Sequence, residues 1–280
     1  KTSPREVDIC RVSLFLVSLM STSRQEQGAM LPRSPVLGIL TGVSYVSGID
    51  YFKGINELYT TKASRGHAMV PNPDIVMASI DCDIYVKYLN EESYDDVKKH
   101  LLTGIRRLHA AGCELLSIAS NTAHMCVPVV EKEFPSLQII HIADCCAARL
   151  KARGIKSVGL IGTKATMECD YLKDRLLRHG IVTIVPEHEE TRVEIFRIIV
   201  EELSYNNFVE SSRQNMVRAI EELGHRGANA CILGCTEIEL LVQQEHIPNI
   251  ELLPSARVHI ETVVDVLLGN VQISHILPSL

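Results

Sequence analysis

The chain has 280 residues, 46% of them hydrophobic and 22% charged, with a formal net charge of −6. That length buries a substantial core, as one large domain or two lobes, and the composition excludes extensive disorder. The acidic balance gives no basic footprint for nucleic acid, although backbone donors at element starts still suit an anionic small molecule.

At the N-terminus, Lys1, Arg5 and Arg11 accompany the apolar run Val12 to Met20. The run resembles a short signal h-region but lacks a small-residue cleavage site, and it is too short to span a bilayer. Residues 1–32 are therefore expected to be a poorly ordered extension, with a targeting peptide as the alternative, and no membrane partner is expected.

From Pro35 onward, apolar runs alternate with amphipathic stretches, the pattern of a parallel-sheet α/β protein. Strands are expected at Val36–Leu40, Ile75–Ser79, Leu115–Ala119, Gln138–Ile142, Ser157–Ile161, Ile181–Val185, Ala230–Leu233 and Glu251–Leu253. Most are apolar throughout, as strands covered on both faces should be. Between them, four helical stripes are expected. The first is Ile49, Phe52, Ile55 and Leu58; the second is Val97, Leu101, Ile105 and Leu108, ending at Gly112. The third is Met167, Tyr171, Leu172 and Leu176, ending at Gly180; the fourth is Met216, Val217, Ile220 and Leu223, ending at Gly224. Each glycine is expected as a C-terminal cap.

An internal repeat runs beneath this order. Gly38-Ile39-Leu40-Thr41-Gly42 and Gly159-Leu160-Ile161-Gly162-Thr163 are alike, and Ser120 and Cys235 recur at nearly the same offset. Two pseudo-symmetric lobes are therefore expected, each a parallel sheet flanked by helices, with the active site in the cleft between them. The first lobe takes residues 33–141 with 253–280, because the final helix returns to it, and the second takes 142–252.

Ser120 and Cys235 each end an apolar strand and lead into a Thr-bearing helix start, where open α/β sheets place their active sites. Facing groups of this kind suggest proton transfer across a cleft. Cys235, beside unpaired backbone N–H groups, is expected to have a lowered pKa and to be the principal base or nucleophile. Asn121, Thr122 and Thr236 supply donors for a carboxylate and for the charge that grows on it as the adjacent carbon loses its proton. The loops Thr41-Gly42-Val43-Ser44 and Gly162-Thr163-Lys164-Ala165-Thr166 match no nucleotide fingerprint and are expected to line the same cleft. The nine cysteines include no C-x-x-C, so neither a disulfide framework nor a metal site is expected, and a reducing cytoplasm fits best.

The chain resembles the aspartate/glutamate racemase family over nearly all of Pro35 to Leu268. The resemblance rests on Gly42-Val43-Ser44-Tyr45, Asn121-Thr122-Ala123-His124, His141-Ile142-Ala143-Asp144, the turn from Gly162-Thr163 to Thr166-Met167, and, most specifically, Gly234-Cys235-Thr236-Glu237. It implies a cofactor-independent isomerase, without pyridoxal phosphate, that exchanges the α-proton of aspartate or glutamate to give the D-amino acid, and a homodimer. Cys235 then serves one face and Ser120 the other. Asn121, Thr122, Thr163 and Thr236 hold the α-carboxylate, and Thr41, Ser44 and Lys164 meet the remaining polar groups. One position departs from the family pattern, because Ser120 stands where the first-lobe cysteine is usual, and a hydroxyl is a far poorer base. A single-cysteine malonate decarboxylase, a hydantoin racemase and a catalytically weak amino-acid-binding protein are the alternatives.

Overall fold

A computed structural model describes residues 34–63 and 70–278. The expected N-terminal extension lies outside these residues. The described residues belong to one compact unit.

All eight expected strands are present: β1 (Leu37–Thr41), β2 (Ile75–Ser79), β3 (Leu115–Ile118), β4 (Gln138–Ile139), β5 (Ser157–Gly162), β6 (Val182–Ile184), β7 (Ala230–Gly234) and β8 (Glu251–Pro254). They form two four-stranded sheets, ordered β2-β1-β3-β4 and β6-β5-β7-β8, and every pairing is parallel. The second order repeats the first with each strand number raised by four, so β3 and β7 are equivalent. Ser120 and Cys235 therefore follow corresponding strands. β1, β3, β5 and β7 are central, and their described residues are almost all buried, which accounts for their unbroken apolar runs.

The helices are α1 (Tyr45–Lys62), α2 (Cys82–Asn90), α3 (Tyr94–Ala110), α4 (Val127–Glu133), α5 (Ile142–Ala152), α6 (Lys164–Glu168) and α7 (Tyr171–Arg178). Then follow α8 (Glu189–Arg197), α9 (Glu210–His225), α10 (Ile238–Leu241), α11 (Ser255–Leu267) and α12 (Ile273–Ile276). α11 packs on both α1 and α5. A core of Leu37, Ile39, Tyr51, Ile142, Leu160 and Val264 consequently runs from one sheet to the other.

The stripe on α3 is buried as expected, and Gly112 and Gly180 adopt left-handed conformations, with φ of 82° and 76°. Three helix expectations need correction. On α1 the buried face is Ser47, Gly48, Tyr51 and Ile55, whereas Ile49 and Phe52 are exposed. A three-residue spacing drifts about 60° per step around a 3.6-residue helix, so it cannot stay on one face. The stripe from Met167 to Leu176 is split between α6 and α7 at an extended Cys169, and the break brings the Tyr171 hydroxyl to the Thr166 hydroxyl at 3.2 Å. Gly224 lies inside α9, where a β-carbon would meet Ile250 Cδ1 at 2.4 Å. The left-handed glycine beyond that helix is Gly227, at φ 97°.

Candidate active site between the sheets

The carboxyl ends of the central strands converge on a cavity of about 340 Å³. Ser44, Ser120, Asn121, Thr122, Thr163, Cys235 and Thr236 all line it. Thr41 and Lys164 do not. Thr41 is buried behind the loop, with its hydroxyl 3.5 Å from the Ser44 carbonyl. Lys164 points outward and pairs with Glu92 at 3.1 Å. Position in a loop predicted these two, but side-chain direction removed them.

Gly42, at φ 99°, makes the turn out of β1; a β-carbon there would sit 2.3 Å from the Ile80 carbonyl oxygen. That turn delivers Ser44 as the N-cap of α1, where its hydroxyl accepts from the Ser47 N–H at 3.5 Å. Ser47, which sequence reasoning missed, bonds across the cleft to Thr236, with 3.1 Å between the hydroxyl oxygens.

Beyond β3 the chain enters a tight turn, Thr122–Cys126. The Ser120 hydroxyl accepts from the Ala123 N–H at 3.3 Å, which leaves its own proton free for another acceptor. His124 Nδ1 donates to the Ser120 carbonyl at 2.7 Å, and its Nε2 accepts from the Ile142 N–H at 3.2 Å. These two bonds set one neutral tautomer and pin the Ser120 loop to α5. Burial lowers the His124 pKa to about 3. His259, lowered to about 4 by burial, donates through Nε2 to the Ile140 carbonyl at 2.7 Å. Its Nδ1 accepts from the Tyr51 hydroxyl of the cavity wall at 2.9 Å. His141 lies between these elements, its ring centroid 4.5 Å from that of His124. Its Nδ1 accepts from the Ala143 N–H, capping α5.

Asn121 and Thr122 tie the lobes together as well as lining the cavity. Asn121 Nδ2 donates to Ser255 Oγ at 2.9 Å, and that hydroxyl donates to the Leu233 carbonyl of β7 at 2.8 Å. Thr122 Oγ1 lies 2.9 Å from Thr163 Oγ1 and 3.2 Å from Thr166 Oγ1.

The setting of Cys235 differs from the expectation. Helix α10 begins three residues later and is only four residues long. The thiol instead donates to Glu237 Oε2 at 2.9 Å, and the same oxygen accepts from the Thr236 hydroxyl at 2.6 Å. Burial pushes the thiol pKa well above its ordinary value, and the Glu237 carboxylate raises it further, against opposing bonds from the backbone N–H groups of Glu237 and Thr236. The resting thiol is thus protonated and suited to donate. Transfer of its proton along the bond to Glu237 would leave a thiolate. Glu237 was visible in the sequence only as part of a motif, because nothing local says that its carboxylate turns back onto residue 235.

Among the described residues no cluster of three or more His, Cys, Asp and Glu could hold a metal ion, and no helix is long and apolar enough to cross a membrane.

Two parallel sheets of matching strand order, with a thiol and a hydroxyl at equivalent strand ends, define a two-lobed α/β racemase fold. The sequence pattern of the Asp/Glu/hydantoin racemase family matches residues 40–263, and the chain belongs to that family. Among solved structures it is similar to a candidate Asp/Glu racemase from Yersinia pestis. That pair shares 30% identity over 84% of this chain and 99% of the other, with a TM-score of 0.75. An aspartate racemase homologue from Pyrococcus horikoshii OT3 is also 30% identical, over 82% of this chain and 98% of its own, with a TM-score of 0.68. The broad specificity amino-acid racemase RacX of Bacillus subtilis (strain 168) is 20% identical over 77% of this chain and 92% of its own.

Proposed function

We propose that this chain is a cofactor-independent amino-acid racemase that moves the α-proton between Cys235 on one face of the substrate and Ser120 on the other. The observation that carries this reading is the placement of both side chains on one cavity, after the equivalent strands β3 and β7. In one direction Cys235 passes its proton to Glu237, and the thiolate takes the proton from the α-carbon. The electron pair of the broken C–H bond moves onto the α-carboxylate, where donors from Asn121, Thr122, Thr163 and Thr236 stabilise the added charge. The Ser120 hydroxyl, or a water relayed through it, then protonates the opposite face, and solvent returns a proton to that hydroxyl as Glu237 releases the one it took from Cys235. In the reverse direction the resting Cys235 thiol is the ready donor.

A relative named as an aspartate racemase homologue makes acidic amino acids candidate substrates, and the name of RacX widens the range to amino acids generally. The presence of one thiol where a symmetric pair would use two supports a second reading, a decarboxylase that protonates one face of a substituted malonate. Incubating the protein with L- and D-amino acids in deuterated water separates these readings. Deuterium at the α-carbon with inversion is expected. Carbon dioxide release from a malonate, without exchange of any amino acid, overturns the racemase reading. The homodimer and the cytoplasmic location remain proposals, and sedimentation of the purified chain tests the first.

A further inference from the structure

Away from Cys235 and Ser120, the cavity is walled by two helical faces. On α2, Tyr85, Val86 and Leu89 face it, and across the cleft stand Phe196, at the end of α8, with Ile199 and Val200 on the wide turn Ile198–Glu202. Spacings of three and four residues place each trio on one side of its element. Tyr85 and Ile199 are buried, whereas Val86 and Val200 are 41% and 44% exposed, so the apolar wall continues to the mouth.

The charges point the same way. Among the described lining residues none is lysine, arginine or histidine, and Glu237 is the carboxylate. Of the four cations beside lining residues in the chain, Lys87 is exposed on α2 and Arg257 pairs with Glu261 at 3.5 Å. Lys164 is held by Glu92, and Arg197 is held by Glu194 at 2.8 Å and Glu202 at 2.9 Å. A second substrate carboxylate in this space would lose water without gaining a cation and would share the cavity with Glu237, an unfavourable burial. An aliphatic or thioether side chain gains from the same surroundings.

We propose that the walls formed by Tyr85, Val86, Leu89, Phe196, Ile199 and Val200 select amino acids with uncharged, apolar side chains over aspartate and glutamate. This rests on the racemase reading, since it assigns the remainder of the same cavity to the side chain of an amino acid whose α-carbon lies between Cys235 and Ser120.

The test is α-proton exchange in deuterated water, followed by NMR, with the full chain and a panel of leucine, methionine, norvaline, aspartate and glutamate in both configurations. At least tenfold higher kcat/KM for the apolar members is expected. Val200→Arg, at the exposed rim, should move the ratio of glutamate to leucine toward glutamate by tenfold or more, with circular dichroism confirming the fold. Exchange of aspartate or glutamate at least as fast as leucine by the unmodified protein overturns the selectivity and leaves the racemase reading standing. Absence of exchange with every member overturns both.

Discussion

The Glu237 carboxylate accepts the Cys235 thiol proton at 2.9 Å, two residues along the same loop. Burial and this carboxylate together hold the thiol protonated, so it rests as an acid. Glu237→Gln removes the negative charge and should lower the Cys235 pKa. Iodoacetamide should therefore label Cys235 faster at neutral pH in the variant, while α-proton exchange falls by about 10²–10⁴-fold because the thiol loses its proton acceptor. Unchanged labelling across pH would show that the carboxylate does not govern the thiol.

Cys235→Ala should abolish α-proton exchange and leave the fold intact, since a half-buried thiol is small. Circular dichroism and exchange into deuterated water measure the two effects separately. Near-normal exchange in the folded variant would remove Cys235 from the chemistry.

Ser120→Cys restores a thiol at the end of β3. Exchange on the face served by Ser120 should accelerate, and inversion should rise relative to one-sided exchange, with a gain of about tenfold or more given typical acid/base contributions. If neither direction changes while Cys235 is active, the second proton comes from water or another group.

The buried histidines predict acid sensitivity. His124 and His259 have folded pKa values of about 3 and about 4, against 6.5 when unperturbed, because burial disfavours their charged forms. As pH falls below 6.5 the unfolded chain binds protons that the folded chain does not, so stability must fall with pH. Each histidine contributes up to about 1.4 kcal/mol per pH unit below that point. Urea midpoints should drop between pH 7 and pH 5, above the range where carboxylates titrate. A flat midpoint over that interval would contradict the neutral assignment.

Asp144 is fully buried and takes a two-pronged contact from Arg175, at 2.9 and 2.8 Å, with His179 at 2.7 Å. Arg175 also reaches Glu131 on α4 at 3.2 Å. Asp144→Ala leaves a partly buried guanidinium without its main partner and should cost about 2–4 kcal/mol in denaturant unfolding, somewhat below the loss typical of a fully buried pair. A loss below about 1 kcal/mol would show that Arg175 finds another partner.

By itself the sequence determined all eight strands, the repeat that makes β3 and β7 equivalent, and seven of the nine proposed site positions as cavity-lining. Strand runs and the small polar residues that end them are local signals, and parallel sheets place strand ends together, so linear spacing carries that information. Tertiary structure decided what depends on side-chain direction and on the meeting of distant segments. It turned Thr41 behind the loop and Lys164 toward Glu92, and it exposed Ile49 and Phe52 by rotating Tyr51 inward to His259. It also reversed the expected shift of the Cys235 pKa, because a pKa responds to burial and to a carboxylate folded back onto it, and neither is written in the order of residues. The apolar wall belongs to the same group, since α2 and the turn after α8 are far apart in sequence and become one surface only when the two lobes close on a common cavity.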